Sequence, residues 1–154
     1  MKKIPLTRGK FALVDDEDYG RLSEHKWYFH HSGYAIRKIT VSKKQVIVHM
    51  HREVLMPPIE LFTDHINGNG LDNRRENLRN CTAIENSRNQ SMAKSNKSGF
   101  KGVSWHKAGC KWRSVIHNQG KQEHLGEFFC IVKAAKAYDE AARKYHGDFA
   151  RTNF

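Results

Sequence analysis

The chain has 154 residues, room for one ordinary domain or two very small ones, and Lys plus Arg outnumber Asp plus Glu by 27 to 16. A formal net charge of +11 points to a polyanionic partner, nucleic acid first and an anionic membrane surface second; the alternative is a basic protein with no such partner. The three cysteines, Cys81, Cys110 and Cys130, are scattered and form no C-x-x-C pair, which argues against a disulfide framework and a structural zinc site. Charges follow MKKIPLTRGK before a signal core can form, and no apolar run is long enough to span a bilayer, so the expectation is a soluble, cytoplasmic protein that is not secreted and has no membrane partner.

In chain order, KFALV reads as a strand and DDEDYGRLSEHK as a polar stretch with a short helical turn. WYFHHSGYAIRKI reads as two strands around Ser32-Gly33, and VSKKQVIVHMHREV as a Lys-Lys turn followed by the strand VIVHM. Pro57-Pro58 closes this section. Next comes DHINGNGLDNRRENLRNCTAIENSRN from residue 64 to 89: a short extended segment, an Asn-Gly loop tolerant of positive φ, and the strand-like NLRNCT. Thr82 and Glu85 then form a capping box that starts a helix carrying Asn86. Asn67, Asn69 and Asn73 read as turn formers.

Residues 93–99 are small, polar and basic and read as a linker. After it, GFKGVSWHK, KWRSVIHN and KQEHLGEF are strand candidates separated by Ala-Gly and Gln-Gly turns. IVKAAKAYDEAARKYHG is a helix with Ile131, Ala135, Tyr138, Ala142 and Tyr145 on one face and Gly147 at its C-terminal cap. The expected fold class is α+β: a β-rich N-terminal region ending in strand, loop, strand and helix over residues 1–92, the linker, and a three-stranded antiparallel sheet packed on one helix over residues 100–154.

Phosphodiester cleavage needs an activated water, a charge stabiliser and a hold on the leaving oxygen. A neutral His is a suitable base near pH 7, and a hard cation such as Mg²⁺ takes oxygen ligands of the kind Asp and Asn supply. Asp64 and His65 are adjacent, and strand neighbours point to opposite faces, so both serve one site only where the strand twists or the helix wraps beside it. The segment from about residue 46 to 91 resembles the HNH endonuclease family, phage and homing-endonuclease branch. His65 matches the first histidine of the family motif, Asn77 the central asparagine, and Asn86 the last letter, often His, in an H-N-N variant.

The resemblance implies a ββα-metal motif with His65 as general base, Asn77 holding the loop and orienting His65, and Asp64 with Asn86 as ligands to one Mg²⁺ or Mn²⁺. No small-molecule cofactor is expected. Arg74, Arg75 and Arg79 flank the motif; they read either as phosphate contacts or as a solvated basic loop. Arg52, in the His51-Arg52 pair before the motif, reads either as a DNA contact near the cut or as packing beneath it.

In KWRSVIH, alternation sends Trp112, Ser114 and Ile116 one way and Lys111, Arg113, Val115 and His117 the other. The first set suits the helix side and the second a DNA groove. KGVSW, LGEF, KAAKAYDEAARKYHG and the closing ARTNF resemble the plant ethylene-response-factor type of DNA-binding domain, from about Phe100 to Phe154. That resemblance implies a sheet docked in the major groove. It places Lys101 where the plant family has a DNA-contacting Arg, and Ser104, His106, His117, Gln122 and His124 at other contacting positions. Lys111 and Arg113 join them on the outward face.

The combined expectation is a metal-dependent, site-directed endonuclease of the homing type acting on double-stranded DNA. One site nicks one strand; a double-strand break takes a dimer or two events. The alternative is a sequence-specific DNA-binding regulator with an inactive nuclease unit. An RNA partner is disfavoured because the A-form major groove is too narrow for a sheet.

Overall fold

The computed structural model describes residues 1–154 and divides into two compact units, Met1–Asn86 and Ser87–Phe154. The division falls inside a helix, upstream of the polar stretch 93–99. That stretch forms a compact turn around one side chain: Asn96 Oδ1 accepts from Ser98 N at 2.8 Å and from Gly99 N at 3.1 Å. No helix is long and apolar enough to cross a membrane.

In the first unit, β1 (Lys2–Pro5) and β2 (Phe11–Val14) pair antiparallel and lead into α1 (Asp16–Ser23). Asp16, Glu17 and Asp18 in its first turn favour the helix through the macrodipole, so the expected short turn becomes an eight-residue helix. β3 (Tyr28–Phe29), β4 (Ala35–Val41) and β5 (Lys44–His49) form an antiparallel sheet with β4 central. The β4–β5 turn passes through Ser42 and Lys43, both at positive φ, the geometry whose twist suits a two-residue hairpin.

The expected strand VIVHM ends at His49, and α2 (Met50–Leu55) follows. Met50, His51 and Val54 are its buried residues, a helical spacing that a short apolar run does not distinguish from a strand. β6 (Phe62–His65), β7 (Leu78–Cys81) and α3 (Ala83–Asn89) complete strand, loop, strand and helix in the expected order. Their shared core gathers Val14, Leu22, Trp27, Met50, Val54 and Leu78, with Trp27 donating its indole N–H to Leu22 O at 2.8 Å.

In the second unit, β8 (Val103–His106), β9 (Lys111–Asn118) and β10 (Lys121–Phe128) form an antiparallel sheet with β9 central. α4 (Ile131–His146) covers one face, where Ile116 packs on Tyr138, Ala141 and Ala142, and Val103 on Ala134 and Ala135. The alternation in KWRSVIH holds here, because Ser114 and Ile116 are the buried pair. Small residues on α4 let helix and sheet approach closely. Gly102, at φ +74°, sits so near that a Cβ there would lie 2.0 Å from Tyr138.

Asp139 ties the chain end to this core. It is 2 % exposed and accepts from Asn153 N at 2.8 Å, Asn153 Nδ2 at 2.9 Å and Phe154 N at 3.0 Å. Asn153 in turn accepts from Lys101 N and donates to Lys101 O, joining the C-terminal strap to the start of the sheet.

A polar layer interrupts the first unit's apolar packing. The rings of His49 and His51 stack at 5.1 Å, His51 meets His65 edge-on at 5.1 Å, and Tyr34 contacts all three. Burial, reinforced by the charges of His65, His49 and Arg52, pushes His51 down to about 3. A buried imidazole held neutral contributes stability that is complete above its unfolded value of 6.5 and is lost as pH falls toward the folded value. By about pH 5, His51 alone removes roughly 2 kcal/mol. Urea unfolding from pH 7.5 to 4.5 is expected to show this decline, with a shallower slope in His51→Phe. Asp139→Ala is expected to destabilise the second unit by about 3 kcal/mol, because it strands three partly buried donors; urea unfolding of the variant checks this.

Candidate functional site

The asparagine-rich loop between β6 and β7 is a hydrogen-bonded scaffold. Asn67 Oδ1 accepts from Asn69 N at 2.8 Å and Asn69 Oδ1 from Leu71 N at 3.1 Å, side chains substituting for backbone turns. Asn77 spans the loop: Oδ1 accepts from Asn67 N at 3.0 Å and Nδ2 donates to Asp72 O at 2.8 Å. The loop is also stitched to β2, since Leu13 N donates to Leu71 O and Leu13 O accepts from Asn73 N, each at 2.8 Å.

Asp64 and His65 are both buried on β6, at 7 % and 4 % exposure, and meet different surroundings. Asp64 lies opposite Arg79 in the register, and its Oδ2 accepts from Arg79 Nε at 2.9 Å and Nη2 at 2.7 Å. His65 packs into the Tyr34–His51 ring layer, with its Nε2 3.3 Å from Asn73 Oδ1. As oriented, Asn73 accepts from Nε2–H, the tautomer in which Nδ1 carries the lone pair. Burial lowers the His65 pKa below 6.5 and outweighs the Asn73 bond and the charges of Asp64 and Asp72, which pull it up. The ring is therefore neutral at pH 7.

Asn73 is fully buried and touches the base candidate, a role that turn chemistry alone did not signal. Its one trace in the sequence is its place between His65 and Asn77, among asparagines that do form turns. Asn86 is half-buried in α3, where its N–H donates to Thr82 O at 2.9 Å. The capping box forms as expected: Thr82 N donates to Glu85 Oε2 at 2.8 Å and Glu85 N to Thr82 Oγ1 at 3.3 Å.

No group of three or more His, Cys, Asp or Glu side chains is arranged to hold a metal ion, the His49, His51 and His65 rings included. Zinc and other borderline-soft ions are therefore poorly served. A carboxylate at Asp64 and an amide oxygen at Asn86 fit the other class, a hard divalent cation that keeps several waters and takes few protein ligands. Arg79, on Asp64 Oδ2, is the cationic partner such an ion would have to share.

The arginines flanking the motif are engaged within the chain. Arg74 grips Asp72 with Nε and Nη2, each at 2.7 Å, and also pairs with Glu76. Arg75 reaches Asp18 at 2.8 and 2.9 Å and Glu17 at 2.7 Å. Arg52 donates to Leu61 O at 3.0 Å, bracing the entry to β6. Arg52, Arg74 and Arg75 are thus each tied to partners within the first unit, Arg52 in keeping with packing beneath the motif.

On the second unit's sheet, the register puts Ser104 opposite Arg113, His106 opposite Lys111, Gln122 opposite His117 and His124 opposite Val115. Cross-strand partners share a face. Ser104, His106, Lys111, Arg113, His117, Gln122 and His124 thus lie together on the side away from α4. Lys101 is different: its ammonium donates to Arg88 O at 2.6 Å and Gln90 O at 2.8 Å, and burial beside Arg151 lowers its pKa to about 8. It caps the end of α3 instead of projecting from the sheet.

Sequence reasoning missed Glu127 on this face. A bulge between His124 and Gly126 reverses the alternation, so Glu127 pairs with Arg113 instead of following Glu123 to the helix side. The glycine at φ +135° in LGEF was its only local signal.

The sequence model of the family described as HNH endonuclease matches residues 57–88, which hold β6, the asparagine loop, β7 and most of α3. Protein 3.8 of Escherichia phage T7 is 39 % identical over 94 residues, 61 % of this chain and 77 % of that protein. An uncharacterized HNH endonuclease of Acanthamoeba polyphaga mimivirus is 28 % identical over 148 residues, 95 % of this chain and 76 % of that protein. APETALA2-like protein 2 of Oryza sativa subsp. indica is 41 % identical over 61 residues, 40 % of this chain and 14 % of that protein. A buried imidazole at the end of β6, beside a loop locked by asparagine, lies within the matched segment: the chain belongs to the HNH endonuclease family.

Proposed function

We propose that this endonuclease is a homing-type, site-directed enzyme in which residues 1–92 nick one strand of duplex DNA and residues 100–154 choose the site. The observation that carries the reading is the joint placement of Asp64 and His65 at the end of β6, beside a loop that Asn77 locks from both ends. The neutral His65 accepts a proton from the attacking water, with Nδ1 as the basic atom. Asn73 fixes the ring, and Asn77 fixes the loop that carries Asn73.

Asp64 and Asn86 are the residues that would hold one Mg²⁺ or Mn²⁺, which supplies charge neutralisation at the leaving 3′-oxygen. Members of the family are generally divalent-metal dependent. Arg79 keeps the Asp64 carboxylate aligned through its two bonds to Oδ2. The open sheet face offers Lys111 to phosphate and Ser104, His117, Gln122 and His124 to base edges in the major groove, in keeping with its likeness to the APETALA2-like relative.

Supercoiled plasmid incubated with Mg²⁺ is expected to be nicked, and EDTA to stop the reaction. His65→Ala is expected to lower the rate by about 100- to 10,000-fold while duplex binding in EDTA stays unchanged. Cleavage by His65→Ala at the wild-type rate removes His65 as the base. In filter binding across a salt series, Lys111→Ala is expected to lower the slope of log K against log salt by about one. Lys101→Ala is expected to leave that slope as it is, because its ammonium is spent on carbonyl oxygens. A chain ending before Lys94 is expected to lose site choice; equal affinity and selectivity in that truncation would remove the targeting role.

A further inference from the structure

The DNA-facing side of the second sheet carries one carboxylate, Glu127, set among cationic and neutral polar groups. Its Oε1 accepts from Arg113 Nη2 at 3.2 Å and lies 2.7 Å from His106 Nδ1, out of line for a hydrogen bond. Gly109 closes over the group: a Cβ there would stand 3.0 Å from both Glu127 Oε2 and His106 Nδ1. Burial opposes ionisation of Glu127, but the Arg113 bond and the His106 charge outweigh it and hold the carboxyl below its ordinary range. It is an anion wherever the protein meets DNA.

An anion at this place excludes phosphate, so it cannot serve the backbone contacts that its neighbours make. In the major groove, the partners open to a carboxylate are exocyclic amino groups, and the pairing of Glu with cytosine N4 is the favoured one. Arg113 completes the pattern. Its Nε and Nη2 are turned to Glu127, which fixes the guanidinium plane and leaves Nη1 with no bond inside the chain. A guanidinium so fixed suits the O6 and N7 acceptors of guanine.

We propose that Glu127 is the specificity-determining residue of this sheet, accepting from the N4 amino group of a cytosine and aiming Arg113 at a neighbouring guanine. The inference rests on the sheet being the surface that places the enzyme on DNA. His106 is the positioning residue behind it, and Gly109 makes the room.

The test is selection of binding sites from randomised duplexes by the full chain in EDTA, which prevents cleavage, for wild type, Glu127→Gln and Glu127→Ala. Wild type is expected to select a site with a fixed C·G pair. Glu127→Gln is expected to move the preference at that one position toward A·T, since Gln pairs with adenine N6 and N7. Glu127→Ala is expected to lose the preference there by roughly 5- to 150-fold while other positions persist. Thermal melts of the three proteins establish that each is folded, and the Gln variant decides the matter if the Ala variant is not.

The same preferred site from all three proteins overturns the assignment of Glu127 but leaves the sheet as the docking surface. A uniform loss at every position assigns Glu127 to structure and also overturns the proposal. A wild-type chain that selects no motif overturns the docking reading together with it.

Discussion

Leu13 lends both of its backbone groups to the loop between β6 and β7, and the geometry of the site hangs on that pairing. The two hydrogen bonds place Asn73 under the His65 ring and bring Asp72 beside β2. From there the constraint spreads through side chains: Asp72 takes Arg74 and Asn67, while Asp15 and Asp18 take Arg75. A loop of this composition would be mobile in isolation. Here it is fastened at its middle by β2 and across its ends by Asn77, and the His65 ring beside Asn73 is held by the same fastening.

The charge of the protein is distributed by this bonding in a particular way. The net charge of +11 invites a picture of arginines arrayed for phosphate. Instead Arg21, Arg37, Arg74, Arg75, Arg79 and Arg113 each hold a carboxylate within the chain. Guanidinium forks favour fixed, bidentate partners, whereas an ammonium on a flexible stem keeps its place in solvent. These six arginines therefore set geometry within the chain. At Asp64 the two uses meet, because the fork that orients the carboxylate also competes for it.

Much of the architecture was legible in the residues. The capping box at Thr82 and Glu85 marked the start of α3, and the alternation in KWRSVIH assigned the faces of β9, because both signals are local and depend on period or spacing alone. α2 was missed since its six residues are too few to separate a helical period from an extended one. For the site, the four residues of the Asp-His-Asn-Asn series stood out by spacing. The ring layer of Tyr34, His49 and His51 behind His65 did not, because it joins the turn before β4, the end of β5 and α2 to β6 across the fold. The engagement of Arg74, Arg75 and Lys101 by partners distant in sequence was likewise out of reach of any local rule.

The bulge at Leu125 has a bearing on how such a protein changes its target over time. Strand parity decides which side chains of β10 face the ligand, and one extra residue inverts that parity for everything beyond it. Pairing Leu125 regularly, with the bulge ironed out and no residue lost, would set Glu127 opposite Trp112 on the helix side and carry Phe128 outward, with the hydrophobic cluster that Phe128 packs against disturbed in the same stroke. A sheet that reads DNA can thus meet a new sequence by two routes of unequal reach. Point substitution edits one letter of the recognised site, whereas relocation of a bulge rewrites a whole register at once.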